Sequence, residues 1–122
     1  MDFTEILFEI DEGVAVITLN RPEARNALAP VMRQELAHAL KTVREKAGEE
    51  VRALILTGAG GAFCAGGDVK SMGSRLKSAA LAREALRDDH QKMIDLLNIE
   101  VPVISLIDGA AAGAGANIAC LL

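Results

Sequence analysis

Two short, largely apolar runs, Ile6 to Ile10 and Val14 to Leu19, flank the polar Asp11-Glu12-Gly13. This pattern predicts two strands joined as a hairpin, and Asn20-Arg21-Pro22 ends the second of them. The spacing then changes. Met32, Leu36, Leu40, Val43 and Ala47 recur at helical spacing, with Pro30 acceptable in the first turn and Gly48 placed as a stop. An amphipathic helix of about four turns is expected there. Val51 to Thr57 reads as a mostly buried strand that follows the helix closely enough to close a right-handed crossover between parallel strands. A polar, small-residue segment from Ser71 to Ala80 leads into a second helix over Leu81 to Leu97, marked by Ala82, Leu86, Met93 and Leu97. Pro102 fixes its exit, Val103 to Ile107 reads as another short buried strand, and Gly109 to Gly115 turns that strand into a helix beginning near Ala114. The chain is apolar to Leu122 with no capping residue, so it is expected to stop inside an element. The fold class is α/β.

Two glycine-rich stretches stand out against this pattern: Gly58-Ala-Gly-Gly-Ala-Phe-Cys-Ala-Gly-Gly-Asp68 and Asp108-Gly-Ala-Ala-Ala-Gly-Ala-Gly-Ala-Asn117. Each follows a strand-like run and precedes a predicted helix start. Backbone without side chains can approach a ligand closely, and a helix N-terminus offers unpaired N–H groups. Two such groups converging on a carbonyl oxygen make an oxyanion hole. Neither stretch is a nucleotide loop. Gly61-x4-Gly66 is followed by Gly67 where a phosphate-binding lysine would stand, and Phe63 occupies the place of the last glycine of a dinucleotide fingerprint. Taken alone, Gly58 to Gly67 also fits a plain connector.

Composition narrows the chemistry further. A 122-residue chain with 51% hydrophobic residues holds at most one domain, and with 2% aromatic residues its core must be aliphatic and alanine-rich. The formal net charge of −4, without a local Lys/Arg cluster, argues against nucleic acid and anionic membranes. Cys64 and Cys120 lie in unrelated apolar contexts without metal spacing, His38 and His90 are isolated, and no metal is expected. The start of the chain lacks a secretory pattern, so a cytoplasmic location is expected. Val103 to Leu122 carries one charge, Asp108, and small residues at Gly109 and Gly113. A membrane helix is set aside there because Pro102, a β-branched start and a weakly hydrophobic alanine-glycine content all oppose it. Three side chains take structural readings: His90 as a half-buried helix residue, Cys64 as small packing, and Asp68 as the cap of a short helix over Val69 to Met72.

Asn20-Arg21-Pro22 with Asn26-Ala27-Leu28, Leu54-Ile-Leu-Thr-Gly58, Phe63-Cys-Ala-Gly-Gly-Asp68, Pro102-Val-Ile104, and Asp108-Gly109 through Gly115 together resemble the crotonase, or enoyl-CoA hydratase/isomerase, family. The resemblance covers essentially all 122 residues. It implies a crotonase-like spiral of repeated ββα units, of which residues 1–122 form the N-terminal part of a single domain, truncated after the second oxyanion-hole glycine-rich turn. It further implies an acyl-CoA thioester as substrate with no separate cofactor, and assembly as a homotrimer or dimer of trimers. By position, the backbone N–H groups of Gly67 and Ala114 resemble the two oxyanion donors. Ala65, Gly66, Gly67, Asp68, Val69 and Lys70 resemble the strip along the pantetheine arm, and Arg25, Asn26 and Ala27 the loop near the nucleotide end. Lys70 and Arg25 are placed to meet coenzyme A phosphates as point charges.

Asn117 departs from the hydratase pattern, in which a glutamate holds this position and helps to activate water. An amide has no basic carboxylate to take that proton. Double-bond isomerisation by a single downstream acid is therefore expected ahead of hydration, and the 122 residues alone are expected to be inactive. Hydration by another acid/base and a catalytically silent acyl-CoA-binding or oligomerising member stay open as alternatives.

Overall fold

The computed structural model describes residues 2–66 and 79–112. The hairpin forms as the two apolar runs predict: β1 (Ile6–Asp11) and β2 (Val14–Leu19) pair antiparallel, with Ile6 opposite Leu19 and Asp11 opposite Val14. Glu12 and Gly13 turn the chain with φ of 50° and 86°, the positive values that two-residue hairpins favour. A 3-10 turn at Pro22–Ala24 follows, then α1 (Pro30–Lys46), with Pro30 in its first turn. β3 (Ala53–Gly58) lies parallel to β2, so α1 is the expected crossover helix. Its strand begins later than Val51, which makes only an isolated bridge to Ala47.

The first glycine stretch contains a strand that alternation did not reveal, β4 (Ala62–Cys64), and α2 (Ala79–Leu97) follows. β5 (Val103–Leu106) pairs parallel with β3, and β6 (Ala110–Ala111) lies in the second glycine stretch. The element order is thus ββα, ββα, ββ. The larger sheet runs β1-β2-β3-β5, and β4 and β6 form a separate parallel pair.

One face of the larger sheet carries Ile6, Ala15, Ile17, Leu19, Leu54 and Leu56, all buried in one cluster with Met32, Leu36, Leu40 and Val43 of α1. The opposite face is another matter. Val103 to Ile107 was expected to be buried, but Ile104 and Leu106 are 53% and 59% exposed. Ile104 stands beside Ile55 and Leu106 beside Thr57 in the register, so both point to the face away from α1, while Val103 packs against the core cluster. The stripe expected on α2 is corrected similarly: Leu86, Leu97 and His90 are exposed, whereas Leu96 is buried in the core cluster. The helix is turned so that Leu96 packs inward and Asp95 meets Arg44 of α1 at 3.1 Å. The side chains of Ala82 and Met93 lie outside those described.

The buried face of α1 also carries Glu35, whose carboxylate binds the entry to β1. Oε1 accepts the N–H groups of Thr4, Glu5 and Ile6 at 3.0, 2.8 and 3.2 Å, and Oε2 accepts the Thr4 hydroxyl at 3.1 Å. Burial pushes the Glu35 carboxyl up, but these donors outweigh it and hold its pKa below the ordinary value. At the other end of the fold, Gly109 enters β6 at φ 93°, and a Cβ there would strike the Gly61 carbonyl. The two glycine stretches touch because this residue has no side chain.

Two outcomes follow for stability. A depressed folded pKa means that the Glu35 contribution is present above the unfolded value and is lost as pH falls through the folded one. Glu35→Gln should lower stability at neutral pH by about 1–2 kcal/mol and flatten the acid limb of a urea-denaturation series against pH. Gly109→Ala should cost about 1–3 kcal/mol in the same measurement at all pH values.

Candidate active site

Three segments meet beside β4. The loop 20–29 turns back on itself through Arg25 and Asn26, both in the left-handed region at φ 52° and 57°. Asn26 is fully buried. Its Oδ1 accepts the Arg21 N–H at 2.7 Å, and its Nδ2 donates to the carbonyls of Ala59 and Ala62 at 2.9 and 2.8 Å. The side-chain amide is therefore committed to the fold, and it fastens the loop to the turn that leads into β4.

Backbone bonds continue the seam. The Ala65 N–H donates to the Arg25 carbonyl at 3.0 Å, and the Leu28 N–H donates to the Gly66 carbonyl at 2.7 Å. Arg21 steadies the loop from its other side, with Nη1 donating to the Ala27 carbonyl at 3.0 Å and Nε 3.4 Å from Glu5. The structure thus brings Arg25, Asn26, Ala27, Ala65 and Gly66 together as one patch. The Arg25 side chain is exposed there, whereas Ala27 and Gly66 are buried.

β6 completes the patch on the far side of β4. Ala62 stands opposite Ala110 and Cys64 opposite Ala111, and the Ala112 N–H donates to the Cys64 carbonyl at 2.9 Å. The two strands run parallel, so the chain leaves Gly66 and Ala112 from the same end of the pair. Gly67, Asp68, Val69, Lys70, Ala114 and Asn117 lie outside the described residues, as do Cys120, the short helix expected over Val69 to Met72 and the helix expected from Ala114.

Two further side chains stand beside this seam, Arg33, which the sequence reading passed over, and Cys64, which it read as packing. Arg33, on the buried face of α1, donates from Nε to the Leu28 carbonyl at 3.0 Å. Cys64 is buried, and its Sγ accepts the Gly66 N–H at 3.4 Å. Burial pushes the Cys64 thiol up, with the Gly66 N–H and the Arg33 charge acting in the opposite direction, so the sulfur is held as a neutral thiol. That agrees with its reading as packing. Arg33 was discoverable in principle, because a charge at position 33 falls three and seven residues before the core leucines at 36 and 40. Among the described residues no group of three His, Cys, Asp or Glu side chains converges as a metal would need, and no helix is long and apolar enough to cross a membrane.

The paired exits thus start two glycine-rich backbone segments from one end of the β4–β6 pair. A family model described as Enoyl-CoA hydratase/isomerase matches residues 9–121. A "Probable enoyl-CoA hydratase" of Rhodobacter capsulatus is 42% identical over 120 residues, covering 98% of this chain and 44% of the relative. A "1,2-epoxyphenylacetyl-CoA isomerase" of Escherichia coli is 38% identical over 116 residues, covering 93% of this chain and 44% of the relative. Among solved structures, Pseudomonas aeruginosa AtuE superimposes with a TM-score of 0.89 at 40% identity, covering 97% of this chain and 45% of that one. The chain spans somewhat less than half the length of the relatives it matches. It belongs to the enoyl-CoA hydratase/isomerase family, with the crotonase fold.

Proposed function

We propose that this chain contributes the thioester-binding half of an acyl-CoA-processing site whose reaction is double-bond isomerisation. The observation that carries the reading is the parallel pairing of β4 with β6, which sends both glycine stretches out from one end of a strand pair. In this reading Gly67 and Ala114, which follow those exits in sequence, donate their N–H groups to the thioester oxygen. Loss of a proton from the α-carbon moves negative charge onto that oxygen, and donors fixed in advance stabilise the charge more than they stabilise the ground-state carbonyl. Each such donor contributes about 3 kcal/mol in comparable sites.

Isomerisation needs one base that takes a proton from one carbon and returns it to another. Hydration by the two-glutamate route needs a carboxylate where this chain has Asn117. A relative from Streptococcus mutans named as a trans-2-decenoyl-[acyl-carrier-protein] isomerase supports the first reading, and the relative named as a probable enoyl-CoA hydratase supports hydration as the second. For binding, the strip from Ala65 to Lys70 follows the pantetheine arm and the Arg25–Ala27 loop faces the nucleotide. Asn26 acts there through the backbone it holds, and Arg25 through its exposed charge. Assembly into trimers or paired trimers belongs to the same proposal.

The polypeptide that carries these residues should convert a 3-enoyl-CoA to its conjugated 2-isomer, seen as a gain in enoyl-thioester absorbance, and should leave crotonyl-CoA unhydrated. Rapid loss of crotonyl-CoA absorbance would sink the inference from Asn117, and binding without turnover of either substrate would favour a silent member. Arg25→Gln should weaken coenzyme A binding roughly two- to fivefold in low salt, with the difference shrinking as salt is added, as calorimetry can show.

A further inference from the structure

Arg33 stands near the start of α1 on the face that packs into the core, and only 6% of its surface is exposed. A guanidinium is seldom placed so deep unless its donors meet fixed acceptors. Here one acceptor is the Leu28 carbonyl, 3.0 Å from Nε. The N–H of the same residue donates to the Gly66 carbonyl at 2.7 Å, and the Gly66 N–H in turn reaches Cys64 Sγ at 3.4 Å. Leu28 is thus held between a helix side chain and a strand exit. One step along, the Arg25 carbonyl receives the Ala65 N–H at 3.0 Å, so the loop and the strand exit are fastened at two points.

We infer that Arg33 is a positioning residue for the acyl-CoA site: its Nε–H docks the 25–28 loop against Ala65 and Gly66, so that the two strips meet a ligand as one surface. This rests on the reading of both strips as acyl-CoA contacts. The chemistry asks for arginine in particular. Nε sits inside the side chain, so it can donate to Leu28 while the rest of the planar head remains available to other partners. A lysine carries one nitrogen at the tip of its stem and cannot reproduce that division.

Amide hydrogen exchange on Arg33→Lys, combined with calorimetric titration of crotonyl-CoA, tests the inference. Lysine keeps the charge but removes the inner donor. The amides of Leu28 and Ala65 should then exchange roughly tenfold faster or more, while Leu54 and Leu56 in β3 keep their parental protection. Crotonyl-CoA should bind roughly tenfold more weakly. Parental exchange at Leu28 and Ala65 in the folded variant would overturn the inference. If Arg33→Lys does not fold, Arg33→Gln carries the same measurement, and loss of protection throughout β2 and β3 in both variants would make Arg33 a general stability residue and end the proposal. If the parent itself fails to bind crotonyl-CoA, the acyl-CoA reading fails, and exchange alone still decides whether Arg33 docks the loop.

Discussion

The side-chain amide of Asn26 accepts one backbone N–H and donates to two backbone carbonyls from a position closed to water, and the arrangement around the candidate site depends on those three bonds. One of them reaches the turn between β3 and β4 at Ala59 and another the first residue of β4, Ala62, so the loop after the hairpin cannot move without moving the entry to β4. A buried amide left without partners is costly, and this gives the contact its rigidity. The left-handed conformation at Arg25 and Asn26 is accepted for the same reason: asparagine tolerates it well, and the bonds made from there repay the strain at its neighbour.

The larger sheet and α1 are held by largely aliphatic packing, with Ile17, Leu54, Leu36 and Leu40 fully buried at the centre. β4 joins that core through Phe63 and Cys64, both fully buried in the same cluster. β6 contributes less: its two alanines supply little side-chain area, and its place is set by backbone bonds to β4 and by the closeness of Gly109 to Gly61.

The larger elements were legible in the sequence. The hairpin followed from two apolar runs around a polar turn, α1 from helical spacing, and β3 from a short apolar run after a helix. β4 and β6 were not, since three residues and two residues are too few to show alternation, and a glycine-rich stretch reads equally well as a connector. On β5 one side only is buried, Val103 packing against the core cluster while Ile104 and Leu106 point to the opposite face, because an apolar run does not reveal which faces of its sheet are covered. The patch at residues 25–27 and 65–66 was found through the family resemblance, whereas its supports were not. Arg33 and Glu35 both lie on the buried face of α1, and a periodicity count that looks for apolar residues passes over the charges among them.

The seam between loop and strand has a consequence for how such a site can diversify. At residue 25 the backbone carbonyl is tied to Ala65 and the neighbouring Asn26 fixes the turn, yet the side chain itself stands in water. Geometry there is set by one residue and surface charge by the next. A lineage, or an engineer, can exchange the side chain at 25 among residues that accept a left-handed backbone and alter what the rim attracts while the frame beneath it stays where it was.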